Sequence, residues 1–264
     1  MSDGYPYAER VAGGEDEKAL IGGNASVSVS RVGNTVRKPW FPTTPHTIAY
    51  LRHLEQAGID VPHVHGRDQQ GRLVLDYIPG TLAMDLAPPD PELVHRVGGL
   101  VRRIHDTSAT LPLPDNWPVL LPAPHDELVC HNDLATWNLI IDGSRLVFID
   151  WDGAGPSNRL WDLAYAAIAF AHLFPDANPS EAAERLAAFA DGYDAGPAMR
   201  DALPQALEER SAAMWQHLRA AHRDGFEPWA SMYIEGHGRH WHDTTKFIHH
   251  HHDTWQTALR TPES

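Results

Sequence analysis

His131-Asn132-Asp133-Leu134-Ala135-Thr136-Trp137-Asn138, with Ile149-Asp150-Trp151-Asp152 shortly after it, is the stretch on which the reading of this 264-residue chain turns. Between the two pieces, residues 139–141 and 145–149 are apolar and strand-like. The Asp142-Gly143 dipeptide between those runs is a strong hairpin signal. A hairpin folded there returns the chain antiparallel, so Asn138 and Asp150 arrive at the same end of the ribbon. An amide oxygen and a carboxylate presented together are the hard donors that Mg2+ takes alongside substrate phosphates and water. Asp133 stands five residues before Asn138, at the near end of the same loop, where its carboxylate can accept a proton from an attacking hydroxyl. Leu128-Val129-Cys130 leads into the loop as an apolar strand. The bare His-x-Asp-x4-Asn spacing is common enough to arise by chance; its setting between a strand and a hairpin closed by an acid gives it weight. Together these features point to phosphoryl transfer, which depends chiefly on positioning and charge neutralisation.

The arrangement resembles the aminoglycoside phosphotransferases and their choline- and homoserine-kinase-like relatives. Residues 130–138 are similar to that family's catalytic loop, and residues 149–152 to its metal-binding segment. Gly155-Pro156 and residues 159–164 extend the likeness. The resemblance implies an α+β, bilobal protein-kinase-like fold. Its N-lobe, residues 1–79, would be a small antiparallel sheet with one main helix and would bind the nucleotide; its C-lobe, residues 80–264, would be larger and mostly helical. It further implies Asp133 as catalytic base, Asn138 and Asp150 as Mg2+ ligands, and ATP or GTP as phosphoryl donor. His131 would be a structural brace, and Asp162 would brace the loop from a buried helix.

Composition agrees with a soluble enzyme. A net charge of −14 argues against nucleic-acid or anionic-membrane partners and favours cationic ligands. The single cysteine, Cys130, excludes an intrachain disulfide and fits a reducing compartment. Nowhere do eighteen apolar residues run together, and residues 1–18 are polar and acidic, so the expectation is a cytoplasmic protein whose residues 1–17 form a loose arm.

In the N-lobe, residues 26–32 alternate as a half-buried strand, Gly33-Asn34 turns, and residues 35–38 return. Gly22-Gly23-Asn24 precedes the first strand, and two glycines there would let backbone N–H groups approach phosphates. A helix is expected with Pro45 just inside its start, Ile48, Leu51 and Leu54 on one face and Gly58 past its end. Residues 72–78 then form a strand leading to Pro79-Gly80, with Asp76, Tyr77 and Ile78 as the adenine-binding hinge. Kinases place a phosphate-contacting lysine on the third strand, held by a helix glutamate. Here that strand offers Arg37 and Lys38 on opposite faces, and the resemblance favours Arg37. The helix has one acid, Glu55, at its far end, so the usual ion pair is expected to be missing.

From Asp90 onward the pattern is helical, with Asp90 as N-cap, Pro91 at the first position and Leu93, Val97, Leu100 and Ile104 on one face. Residues 160–170 are apolar nearly all round and predict a buried helix. Ser180 is expected to cap the next, with Leu186, Phe189 and Tyr193 inward, and helices continue from Met199. Trp241, Ile248, Trp255 and Leu259 form one stripe, on which His252 falls while His250 points away, so the histidines at 249–252 cannot all ligate one ion. An aminoglycoside or other amine-bearing acceptor is expected from family and charge, with Asp152 and Glu235 as acceptor contacts. Two rival readings are a catalytically silent kinase-like module that binds nucleotide or ligand, suggested by the missing ion pair, and a metal-storing or metal-sensing C-terminal helix.

Overall fold

The structure is a computed structural model in which residues 17–20 and 29–260 are described. Gly22, Gly23 and Asn24, most of the expected N-terminal arm and the start of the 26–32 strand lie outside them. Glu17 was expected to end the arm; instead it opens strand β1 (Glu17–Ala19), where its carboxylate accepts from Ser30 and Arg72.

β1 pairs with β2 (Ser30–Val32), which turns through Gly33 at φ +58° into β3 (Thr35–Lys38). Helix α1 (Thr44–Gln56) follows, then β4 (Val64–Arg67) and β5 (Leu73–Asp76). The sheet runs β1-β2-β3-β5-β4, each neighbouring pair antiparallel. Strand β4 is not signalled in the sequence, because His63, His65 and Gly66 interrupt any apolar alternation. Helix α1 buries Tyr50 as well as Leu51 and Leu54, while Ile48 is only partly covered.

The chain then enters the large, mostly helical part. A short strand β6 (Thr81–Leu82) leads to α2 (Pro91–Ser108), capped by Asp90, whose carboxylate accepts the Leu93 N–H at 2.8 Å. Strand β7 (Leu128–Cys130) precedes the hairpin of β8 (Leu139–Asp142) and β9 (Arg145–Phe148). β10 (Gly155–Ser157) returns antiparallel to β7, while β6 adds to the far side of β8. The remaining elements are α3 (Arg159–Phe170), α4 (Pro179–Gly192), α5 (Pro197–Asp224), α6 (Trp229–Met232), α7 (Gly238–His250) and α8 (His252–Leu259). The cap of α4 is Asn178, not Ser180: its side chain accepts the Ser180 N–H at 2.9 Å, and Pro179 takes the first helical position, where a missing N–H does no harm. His251 breaks the C-terminal helix in two, yet Trp241, Ile248, Trp255 and Leu259 are all buried. Among the described residues no helix is long and apolar enough to cross a membrane.

Helix α3 is buried on nearly every face, so its polar members must be satisfied internally. Helices α2 and α4 cross closely at Gly98 and Gly192: a Cβ at Gly192 would overlap the His95 carbonyl, and one at Gly98 the Phe189 carbonyl. Gly192→Ala is therefore expected to destabilise the protein by about 1–3 kcal/mol through overpacking, despite the better helix propensity of alanine. Thermal melting should show a drop of several degrees; an unchanged Tm would mean that the two helices separate at little cost.

Candidate active site

The hairpin forms in the register its sequence demands. Leu139 pairs with Phe148 and Asp142 with Arg145, with Gly143 at φ +58° in the two-residue turn. The Ile149 N–H donates to the Asn138 carbonyl at 2.8 Å, closing the ladder. Asn138 and Asp150 therefore stand one on each strand at the open end of the ribbon. Asp150 adopts the left-handed conformation at φ 59°, which turns the chain sharply into the short helical turn Trp151–Gly153.

Asn138 is buried, and both its amide bonds run to Asp133: Nδ2 donates to the Asp133 carbonyl at 2.9 Å and to its Oδ2 at 2.7 Å. With the amide N–H groups so committed, its oxygen is the atom left to offer as a hard donor. Asp133 is half-buried. Burial, with the Asp150 charge adding to it, pushes its carboxyl up to about 6 against the opposing bonds from Tyr165 and Asn138 and the charge of Arg210. Asp150 has the opposite balance: burial raises it, but the Lys38 ammonium outweighs that and holds it below its ordinary value.

Three contacts fix the loop. His131 lies fully buried, its Nδ1 accepting the Asp133 N–H at 3.3 Å and its Nε2 bonding the Ile149 carbonyl at 3.1 Å. A ring that accepts on one nitrogen and donates on the other is neutral, in keeping with the lowering of His131 by burial. It thereby ties the residue carrying Asp133 to the one preceding Asp150. Asp162 sits on α3 at 1% exposure; its Oδ1 accepts the Asn132 N–H at 2.8 Å and its Oδ2 bonds His105 Nε2 at 3.0 Å. His105 Nδ1 is in turn 2.9 Å from the Tyr193 hydroxyl. Asn132, at φ 64°, is held in a strained backbone region by this bond and by Arg210 Nη2, which donates to its carbonyl at 3.2 Å.

On the third strand the structure corrects the expected choice. Lys38, not Arg37, faces the site: its ammonium lies 2.6 Å from Asp150 Oδ1 and 2.7 Å from Asp152 Oδ2. Arg37 points to the other face, donating to Thr35 Oγ1 and lying 3.6 Å from Asp68. Strand alternation required that one of the two face in, and the acidic segment after β9 draws the lysine. Glu55 is exposed and bonded to His63 at 2.7 Å, so α1 supplies no carboxylate to Lys38.

The expected hinge residues lie where β5 leaves the sheet. Asp76 is bonded to His65 at 2.7 Å, and the Tyr77 N–H donates to Asn34, with the Arg31 guanidinium 3.7 Å from its ring centroid. Ile78 packs on Ile140 and Val147 of the hairpin. Gly80, at φ +138°, presses so tightly on Ile140 and Ile141 that a Cβ there would overlap them. The linker is thus seated directly on the ribbon that carries Asn138 and Asp150. Asp152 is paired with Lys38, and Glu235 is exposed between α6 and α7. Of the histidines at the C-terminus, His249 bonds Glu208 at 3.0 Å, outside the loop-and-hairpin cluster.

Sequence reading missed Tyr165, His105 and Arg210. The first had a signal: Asp162 and Tyr165 are three apart on one helix and share a face, so a helix bracing the loop through one would also present the other. Arg210 had none, being one of four arginines in a long helix with nothing local to single it out. It is 2% exposed, its guanidinium 4.2 Å from the Tyr165 ring centroid, with Nε and Nη1 lacking a protein partner among the described residues.

The donor set, an amide oxygen and carboxylates at the mouth of a ribbon, fits a hard divalent cation, with Asn138 and Asp150 as the residues that would hold it.

Residues 111–203 match the family model described as the phosphotransferase enzyme family. The trifolitoxin immunity protein of Rhizobium leguminosarum bv. trifolii is 32% identical over 170 residues, which cover 61% of this chain and 64% of that protein. The chain thus spans a little under two thirds of that relative's length. Among solved structures, a choline/ethanolamine kinase family protein from Mesorhizobium loti aligns with a TM-score of 0.60 at 18% identity, covering 93% of this chain and 92% of that one. An amicoumacin kinase in complex with AMP-PNP, Ca2+ and Ami aligns with a TM-score of 0.62 at 16% identity, covering 86% and 88%. The loop, the hairpin and the bracing helix all fall within the matched segment, and the fold around it is protein-kinase-like, as in the two aligned structures.

Proposed function

We propose that this protein transfers the γ-phosphoryl group of ATP to a hydroxyl of a small molecule. The observation that carries the reading is the hairpin register, which brings Asn138 and Asp150 to one end of a ribbon with Asp133 bonded to the first of them. Asp133 orients the acceptor hydroxyl and takes its proton. Lys38 neutralises phosphate charge at the other side of Asp150. Mg2+ held by Asn138 and Asp150 would supply charge neutralisation of the transferring group. The reaction needs ATP at cellular levels, in keeping with a cytoplasmic location.

The similarity to an amicoumacin kinase and to a trifolitoxin immunity protein favours an acceptor of antibiotic or toxin type that carries a hydroxyl. On this reading, phosphorylation would protect the cell that makes the enzyme. A panel of amino sugars, amino alcohols, macrolides, amicoumacin and trifolitoxin tests it: at least one should stimulate magnesium-dependent ATP consumption well above background. Nucleotide binding with no stimulation by any of them would favour the silent module instead.

A pH profile gives a second check. Since the carboxyl of Asp133 is pushed up to about 6, it is ionised and able to accept a proton above that pH and becomes protonated below it. Accordingly, kcat/KM should fall about tenfold per unit as pH drops below about 6. A profile flat down to pH 4.5 would remove Asp133 from the base role.

A further inference from the structure

Lys38 is 5% exposed, and an ammonium so buried must be compensated. In protein kinases the equivalent lysine is held by a helix glutamate. Here the residues that α1 buries, Thr44, Thr47, Tyr50, Leu51 and Leu54, include no acid, and its one acid, Glu55, is bonded to His63. The compensation comes from the other direction, from Asp150 at 2.6 Å and Asp152 at 2.7 Å.

The two carboxylates are not equivalent. Asp150 is the residue that would also serve the divalent cation, so its charge would be shared once a metal is bound. Asp152 meets Lys38 from the far side of Trp151, and its position is fixed by its neighbour. Trp151 is buried between them, donating through Nε1 to the Phe148 carbonyl at 3.0 Å. Its ring lies edge-on to Tyr50 of α1 at 5.5 Å and against His131 at 4.4 Å. The apolar residue pointing inward leaves the acids on either side of it turned toward Lys38.

We propose that Asp152 is the positioning residue that orients Lys38 toward the nucleotide phosphates, in the place a helix glutamate occupies in protein kinases. The proposal rests on the phosphotransferase reading above. It moves control of the phosphate-binding lysine from a helix of the small lobe to the very segment that carries Asp150, so the lysine needs no helix movement to be set.

The test uses the full chain and calorimetric binding of a non-hydrolysable ATP analogue, with magnesium and with EDTA. With magnesium, Asp152→Asn should bind about tenfold more weakly than the parent protein, because Lys38 then competes with the metal for Asp150. In EDTA, where Asp150 alone can hold the lysine, the loss should stay within about threefold. Lys38→Met combined with Asp152→Asn should bind no more weakly than Lys38→Met alone, as two residues acting through one contact require. Asp152→Glu keeps the charge and should bind within about threefold of the parent, which covers the case that the asparagine variant folds poorly. Parent-like affinity of Asp152→Asn with magnesium, equal losses in both conditions, or additive losses in the double variant would each overturn the proposal. Turnover by the parent protein separates the two readings: if no acceptor stimulates magnesium-dependent ATP consumption, the phosphotransferase assignment fails, while the binding comparison at Asp152 and Lys38 still stands or falls by itself.

Discussion

Replacing Asp133 by alanine is expected to lower kcat by roughly 10²–10⁴-fold, the usual contribution of a positioned acid–base group. Nucleotide affinity should change little, because the contacts of Asp133 run to Asn138, Tyr165 and His131 within its own part of the structure, while Lys38 and Asp150 remain. The separation of the two effects is the informative part: single-turnover rates should collapse while calorimetric binding of a non-hydrolysable ATP analogue persists. Asp133→Asn should behave similarly, since an amide keeps the shape and the acceptor oxygen but cannot take the proton. Retention of most activity in either variant would assign the base elsewhere.

Asp162→Ala should be as damaging, and by another route. Asp162 touches no proposed reacting atom, yet its two oxygens satisfy His105 Nε2 and the Asn132 N–H inside a helix buried on nearly all sides. Removing it leaves both donors without their acceptor, a loss on the order of 1–3 kcal/mol for each. It also frees Asn132 from its left-handed conformation, so Asp133 next to it loses its orientation. Melting temperature and kcat should therefore fall together, in contrast to Asp133→Ala, where removing a carboxylate disfavoured by burial offsets the bonds lost from Asn138 and Tyr165, so that kcat falls far more than stability. A variant with a parent-like melting curve would show that the relay from Tyr193 through His105 to the loop is dispensable.

How much of this was legible from residues alone depended on whether the relevant contacts are local. The hairpin, the relation of Asn138 to Asp150 and the cap at Asp90 follow from short-range rules, and the structure has them in the expected register. The apolar helix around Asp162 was equally plain, because burial on every face leaves no polar stripe. What failed was long-range or decided by competition. Strand β4 has too little alternation to announce itself and exists because β5 offers it an edge. Asn178 outcompeted Ser180 as a cap since Pro179 fixes the first turn one residue earlier. Strand periodicity correctly divided Arg37 from Lys38 but could not say which face met the acids, as Asp150 lies 112 residues further along the chain. Arg210 reaches the loop from 78 residues away and carries no local signature at all.

The twelve-residue separation between Asn138 and Asp150 has a kinetic side. Closing so short a loop takes little entropy and proceeds in well under a microsecond to microseconds for a hairpin of this kind. The ribbon can therefore nucleate before the distant helices dock, and its two arms meet without waiting for the topology of the whole chain. A device assembled from near neighbours in this way tolerates wide drift in everything packed around it, which accords with a fold shared at 16–18% identity.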